Sequence, residues 1–302
     1  MRKAVIDLGT NTFQLVVADV YPNKLDIIFK KQHAVKLGEA GIEKNQISLH
    51  AWQRAINALS DMHVILKDYS CSEVKLIGTS ALRNAINAED FIKEVSERFG
   101  YSIEVIDGLR EAKYILNGVT HTLPKSLLAE SFMVMDIGGG SVEFIINNVE
   151  RSEQLFSFEM GCARLLERFH KSDPIQAEDI VAMKSFINSF LAKIPKSIQI
   201  NSLIGAAGSF ESLLQLNDEL LEKQSTPVNH NLHKIDLANF KSLYHKLLRS
   251  TYAERNSWPL LQGYKAEMIV SGFVLIDCVL ERFGCKNMYC SKFSLKEGAL
   301  LG

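Results

Sequence analysis

The chain contains no Gly-Lys dipeptide and no G-x-G-x-x-G segment after a strand-like run, so neither a Walker loop nor a dinucleotide fingerprint is present. A G-x-S-x-G elbow and an H-E-x-x-H helix are missing as well, which removes two common hydrolase signatures. Its five cysteines (Cys71, Cys162, Cys278, Cys285, Cys290) are scattered, odd in number and never spaced as Cys-x-x-Cys. That pattern suggests neither a zinc ribbon nor a disulfide framework; reduced thiols in a cytoplasmic protein are the simple reading. No apolar run reaches the ~18 residues of a membrane span. The N-terminus opens directly into a strand, without a signal peptide's apolar core and cleavage site. A net charge of −1 gives no long-range field to draw in a polyanion, and it disfavours a nucleic-acid coat protein. His230 and His233 have no partner carboxylate nearby in sequence and read as a solvated pair.

What is present is a repetition. "VIDLGTNT" (Val5–Thr12) and "VMDIGGGSVE" (Val134–Glu143) each run an apolar strand into an Asp, a second apolar residue, a Gly, and small polar or Gly residues. Asp7 and Asp136 lie 129 positions apart, about one domain length in a chain of 302 residues.

The surrounding pattern repeats too. Strands are predicted over Lys3–Leu8, Thr12–Val20 and Leu25–Leu37, broken at Gly9 and at Pro22-Asn23. A helix over Ala51–Tyr69, a strand at Val74–Gly78, a helix at Glu89–Gly100, a strand at Ile103–Ile106 and a short helix from Arg110 follow. The second half restarts with strands at Phe132–Asp136 and Val142–Asn147, hinged by Gly138–Gly140. Helices are predicted near Cys162–His170 and from Asp173-Pro174, then a strand at Ser202–Ala206 entering a tight "GAAGS" and a helix over Phe210–Leu216. The remainder reads as an exposed polar loop (Lys223–His233), helices over Leu232–Ser250 and Ala266–Gly284, a strand at Met288–Phe293 and a terminal "SLKEGALLG". Interleaved strands and helices mean an α/β layer architecture, with a boundary near Pro124.

A glycine-rich turn between strands can be no more than a loose hairpin. Three features point further. Each Asp stands at a strand end beside its turn, and Thr10, Asn11 and Ser141 offer donors. Successive backbone amides in such turns form an anion-binding concavity. A carboxylate beside a phosphate cradle repels, unless Mg²⁺ lies between them; that ion keeps several waters and takes one or two carboxylates plus phosphate oxygens. Two facing turns would then grip one phosphorylated ligand from both sides.

These residues carry a resemblance to a known family. "VIDLGTNTFQLVV", "IGTSALRNAINAEDF", "VIDGLREAKYILNGV", "MDIGGGSVEF", "FEMGCARLLERF", "IGAAGSFESL" and the terminal "SLKEG" occur in that order. The chain resembles the Ppx/GppA phosphatases, the exopolyphosphatases and guanosine pentaphosphate phosphohydrolases of the actin/sugar-kinase/Hsp70 superfamily. The resemblance implies an α/β fold of two ribonuclease-H-like (actin-like ATPase) domains, each a mixed sheet with flanking helices, around a central cleft. The expected division is 1–122, rejoined by 292–302, and 123–291. Two departures stand out: the family's paired glutamates are Arg110-Glu111, and Lys296 replaces an Arg able to bind phosphate with two parallel hydrogen bonds.

The activity so implied is hydrolysis of a terminal phosphoanhydride by direct water attack, with Glu111 as general base. Gly9, Thr10, Asn11 and the amides of Gly138, Gly139, Gly140 and Ser141 are expected on phosphate. Asp7, Asp136 and Glu143 are expected around Mg²⁺, or another divalent cation such as Mn²⁺, mostly through waters. Residue by residue, plainer readings stand beside these. Glu111 could only complement a helix dipole, and Glu143 reads equally well as an exposed alternate strand position. Arg83 could clamp phosphate, as the resemblance favours, or pair with Glu89 or Asp90. Gly208 and Ser209 could contact phosphate or only cap a helix. Inorganic polyphosphate is the preferred substrate, with guanosine pentaphosphate the rival. A non-hydrolytic actin/Hsp70-like nucleotide switch and, more weakly, a sugar kinase are the other readings. No nucleic-acid or membrane partner is expected, and a homodimer is left open.

Overall fold

The computed structural model describes the chain except residues 23, 149–150, 197 and 221–224. The first half builds β1 (Arg2–Leu8), β2 (Thr12–Tyr21), β3 (Lys24–Ala34), α1 (Leu49–Tyr69), β4 (Glu73–Gly78), α2 (Ser80–Asn84), α3 (Ala88–Phe99), β5 (Ile103–Val105) and α4 (Gly108–Thr120). After α5 (Lys125–Leu128) come β6 (Phe132–Ile137), β7 (Val142–Asn148), β8 (Arg151–Phe158), α6 (Cys162–Phe169), α7 (Ala177–Leu191), β9 (Ser202–Ala206) and α8 (Ala207–Leu220). The chain closes with β10 (Thr226–Asn229), β11 (Leu232–Ile235), α9 (Leu237–Arg249), α10 (Tyr252–Ser257), α11 (Tyr264–Phe283), β12 (Asn287–Ser291) and α12 (Leu295–Leu301).

The two sheets repeat one plan. The first has the order β3-β2-β1-β4-β5; the second has β8-β7-β6-β9-β12, extended by β11 and β10. In each, an antiparallel hairpin leads into a parallel neighbour: β1 with β2 and β4, β6 with β7 and β9. Strand alternation then decides where the aspartates point, because successive side chains face opposite sides. Val5, Phe132 and Val134 belong to an apolar core lying between the sheets around α4 and α12, whereas Ile6, Leu8, Met135 and Ile137 belong to the outer cores. Asp7 therefore shares the face of Val5, and Asp136 that of Val134. Both carboxylates turn toward the space between the sheets.

Several predicted elements change. β3 ends at Ala34, not Leu37, and α7 begins at Ala177, after the expected start at Asp173-Pro174. β8 has no counterpart among the predicted strands; its "RSEQLFSF" is an edge strand that lacks a continuous apolar run. The loop expected over Lys223–His233 is instead a hairpin where described, β10 with β11, while Lys223, Gln224 and Asn23 lie outside the described residues. β10 is the sheet edge and all four of its residues are exposed, so its composition looks like loop. The helix predicted from Leu232 starts only at Leu237, because Asp236 accepts hydrogen bonds from Ala238 N and Asn239 N (2.8 and 3.0 Å) and caps it. Leu232–Ile235 pairs with β12 instead.

Candidate active site

The two repeated turns have the same construction. Gly9 N donates to Thr12 O, and Gly138 N to Ser141 O, both at 3.1 Å. The flanking pairs match as well: Leu8 opposite Phe13 with Asp7 opposite Gln14, and Ile137 opposite Val142 with Asp136 opposite Glu143. The turns also touch. A Cβ on Gly139 would stand 2.4 Å from Asn11 Nδ2, and one on Gly140 would stand 2.3 Å from Ser80 Oγ and 2.8 Å from Thr10 Oγ1. Glycine at both positions permits this approach, since a Cβ would displace the Asn11, Ser80 or Thr10 side chain or the turn itself.

Between the turns opens a cavity of about 1080 Å³, counting the space open to solvent at its mouth. Asp7, Gly9, Thr10, Asn11, Glu111, Asp136, Gly138, Gly139, Gly140, Ser141, Gly208 and Ser209 all line it. Twelve of the fourteen residues expected at the site thus meet on one surface; Arg83 and Glu143 are absent from the lining.

Arg83 spends its guanidinium elsewhere. Nη1 donates to Ile106 O and Glu111 Oε2 (both 3.0 Å), and Nη2 to Glu159 Oε1 (3.1 Å). Neither Glu89 nor Asp90 is its partner. Glu143 is 1% exposed, which corrects the reading of an exposed strand position. Its carboxylate accepts from Ser157 Oγ at 2.8 Å; burial, then the charges of Glu111 and Asp136, push it well above the ordinary carboxylate range.

The carboxylates on the cavity wall are strained electrostatically. Desolvation raises Asp7 to about 6, partly offset by Lys296. It raises Asp136 to about 7, with Lys296 opposing and Asp7 adding to the rise. Glu111, at the first turn of α4, is raised to about 8 by burial against the opposing charge of Arg83. Asp107 starts that helix by accepting from Arg110 N at 2.8 Å, which fixes where Glu111 projects. Asp7, Asp136 and Glu111 line the same cavity, and the charges of Asp7 and Asp136 add to the rise at Glu111.

The donor set fits a hydrated divalent cation. Asp7 Oδ1 is buried without a hydrogen-bond partner, and two desolvated carboxylates beside a backbone-amide cradle are what such an ion needs. Among the described residues, no group of three His, Cys, Asp or Glu side chains is gathered to cage a metal directly. The ion that fits is one completed by water and phosphate oxygens.

A family model described as the Ppx/GppA phosphatase family matches residues 16–302. The chain belongs to that family. A crystal structure of an exopolyphosphatase from Cytophaga hutchinsonii is similar at a TM-score of 0.93 and 34% identity, covering 99% of this chain and 96% of that one. The Ppx/GppA family member of Aquifex aeolicus gives 0.80 at 25% identity, over 100% and 96% of the two chains. Guanosine-5'-triphosphate,3'-diphosphate pyrophosphatase of Vibrio cholerae is 29% identical over 299 residues, which are 98% of this chain and 58% of that protein. The Ppx/GppA fold, two mixed sheets with flanking helices in the actin-like ATPase arrangement, is therefore the fold of this chain.

Within the family pattern, the two departures take opposite positions. Arg110 turns away from the cavity, pairing with Glu104 at 2.6 Å with its side chain 53% exposed. Lys296 is buried on the cavity wall. Burial alone would lower its pKa, but Glu297, Asp7, Glu211 and Asp136 hold it above the ordinary lysine value. Sequence reasoning marks Lys296 only as a departure and misses Tyr264, Lys265 and Met268, which line the far wall from the start of α11. Nothing in the largely apolar run that follows signals this role. Contacts between the first half of the chain and α11 join Lys36 to Glu267 (2.9 Å) and Asn11 Nδ2 to Met268 Sδ (2.8 Å).

Proposed function

We propose that the chain is an exopolyphosphatase that releases terminal phosphate from inorganic polyphosphate. One observation carries this reading: two matching hairpins close on a single cavity that brings Asp7, Asp136 and Glu111 together. Phosphoryl transfer asks mainly for positioning and charge neutralisation, and this site offers both. The amides of Gly138–Ser141, with Thr10, Asn11 and Ser209, would hold the terminal phosphates. Lys296 and Lys265 add the positive charge that a net charge of −1 does not. Asp7 and Asp136 would hold Mg²⁺ or Mn²⁺ through waters, with Glu143 behind Asp136 rather than on the ion. When bound, the cation supplies charge neutralisation at the phosphate oxygens. Glu111, in its unprotonated form, would accept a proton from water at its carboxylate oxygen, and Arg83 would orient it.

Similarity to the Cytophaga exopolyphosphatase, 34% identical over 99% of this chain, supports polyphosphate as the substrate. We also take residues 1–122 with 292–302 as one domain and 123–291 as the other, since α12 packs on α4, β1 and β2. Unpaired cysteines fit the cytoplasm, and no helix among the described residues is long and apolar enough to cross a membrane. Phosphate release with Mg²⁺ from long-chain polyphosphate, guanosine pentaphosphate and ATP tests the proposal. Turnover greatest on polyphosphate supports it; preference for guanosine pentaphosphate moves the substrate, and no release from any of the three leaves a nucleotide switch.

A further inference from the structure

Arg83 has three acceptors, and the least expected is Glu159. This residue follows β8 and belongs to the opposite half of the molecule. Its Oε1 accepts from Arg83 Nη2 at 3.1 Å. Its Oε2 accepts from Ser80 Oγ at 2.8 Å and from Arg164 Nη2 at 3.0 Å. Arg164 in turn donates from Nε to Gly140 O (3.1 Å) and from Nη1 to Ile42 O (3.2 Å). One carboxylate thus joins the arginine beside the proposed base to the arginine that braces the second phosphate turn. Burial pushes Glu159 up, but hydrogen bonds from Ser80, Asn84 and Arg83 and the charge of Arg164 outweigh it, so Glu159 stays ionised.

Arginine prefers to give a carboxylate two parallel hydrogen bonds. At Glu111 it gives one, from Nη1 to Oε2, while Nη2 donates to Glu159. Oε1 of Glu111 has no hydrogen bond from the described residues, on the wall of the cavity. We propose that Glu159 is a positioning residue: by holding Nη2 of Arg83 from across the cleft, it keeps Arg83 off the second oxygen of Glu111 and leaves that oxygen for the attacking water. This inference rests on Glu111 being the base. It also means that the base is set only while the two halves are engaged, since Ser80 and Arg83 lie on one side and Glu159 and Arg164 on the other.

The test uses the full chain with Mg²⁺ and long-chain polyphosphate. Glu159→Gln keeps the length of the side chain and removes its charge. The expected result is kcat lower by about 10-fold with KM within about 2-fold, and partial recovery in Glu159→Asp. In a Glu111→Gln background, Glu159→Gln should change the residual rate by less than about 2-fold, because no base remains to position. A further tenfold loss there would show a strut that acts independently of Glu111 and would overturn the proposal. Crystal structures of the wild type and Glu159→Ala give a readout free of substrate. Arg83 swung to pair through both Nη atoms with Glu111 supports the inference; Arg83 unmoved overturns it. Should the wild type release no phosphate from any substrate, the base assignment fails on that result, and the Arg83 comparison still decides what Glu159 holds.

Discussion

The two hairpin turns are alike in shape and unlike in the side chains they carry. Both close with the same 3.1 Å bond and the same register, and the offset of 129 residues extends to the parallel neighbours, where Asp7 faces Ile77 and Asp136 faces Ala206. Yet the cross-strand partner of Asp7 is neutral Gln14, and that of Asp136 is Glu143. The first turn offers the side chains of Thr10 and Asn11; the second offers three bare glycines that let Asn11 and Ser80 approach. Repetition fixes where two carboxylates stand, and divergence gives the pair a direction. One jaw reaches with side chains, and the other receives with backbone. Glu111 enters from the helix beside them, a third group that the repetition does not supply.

The most damaging way to break the arrangement is to remove that third group. Glu111→Gln should lower kcat by ~10²–10⁴-fold while polyphosphate still binds; steady-state phosphate release together with calorimetric binding checks both halves. Turnover close to wild type would take Glu111 out of the chemistry. Next in size is a change that separates the jaws without touching any charge. Gly140→Ala places a Cβ 2.3 Å from Ser80 Oγ and 2.8 Å from Thr10 Oγ1, so those side chains or the turn must shift, and a displacement of about 1 Å costs on the order of 10² in rate. Turnover of Gly140→Ala close to wild type would show that the close approach at Gly140 is not needed for catalysis.

What the sequence makes legible follows the same division. The strand-Asp-turn units can be read because an interior strand is a continuous apolar run, and "FMVMDI" is buried at every position. The meeting of Asp7 with Asp136 is suggested by repetition, and alternation along β1 and β6 accounts for it. Arg83 is hard to read because its segment is polar and helical, with nothing local to show Glu159, 76 residues away, competing for it. Glu143 looks exposed because strand alternation from Val142 makes it the polar position, but β7 lies inside the sheet with both faces covered. The wall from α11 arrives through long-range packing alone.

A gentler probe loads the jaws with protons. Asp7 and Asp136 have folded values of about 6 and about 7 against 3.8 when unperturbed. Raised carboxyls stabilise the fold fully below the unfolded value, and that stability is lost as pH climbs through the folded value. Metal-free protein should therefore lose stability from these two groups between about pH 4 and pH 7, with each group contributing about 1.4 kcal/mol for every pH unit between its unfolded and folded values. Acid-side losses come from groups held low, such as Asp277 and Glu297, so the informative quantity is the difference in Tm with and without Mg²⁺. That difference should grow across the window by several degrees. A Mg²⁺ effect independent of pH would mean that the ion does not bind at these carboxylates.

The smallest expected effect makes the second jaw resemble the first. Glu143→Gln places beside Asp136 the same neutral amide that Gln14 places beside Asp7. Burial and the neighbouring carboxylates hold Glu143 well above its ordinary range, which favours its neutral form. It is absent from the cavity lining, and Ser157 Oγ lies 2.8 Å from its Oε1. An isosteric amide should preserve that contact, leaving kcat within about 3-fold of wild type, well under the ~1.4 kcal/mol that a tenfold change represents. A loss of tenfold or more, accompanied by a higher Mg²⁺ requirement, would show instead that Glu143 is ionised when the cation is present and helps to hold it. The asymmetry between the jaws would then lie in the metal shell, not in the buried layer behind it.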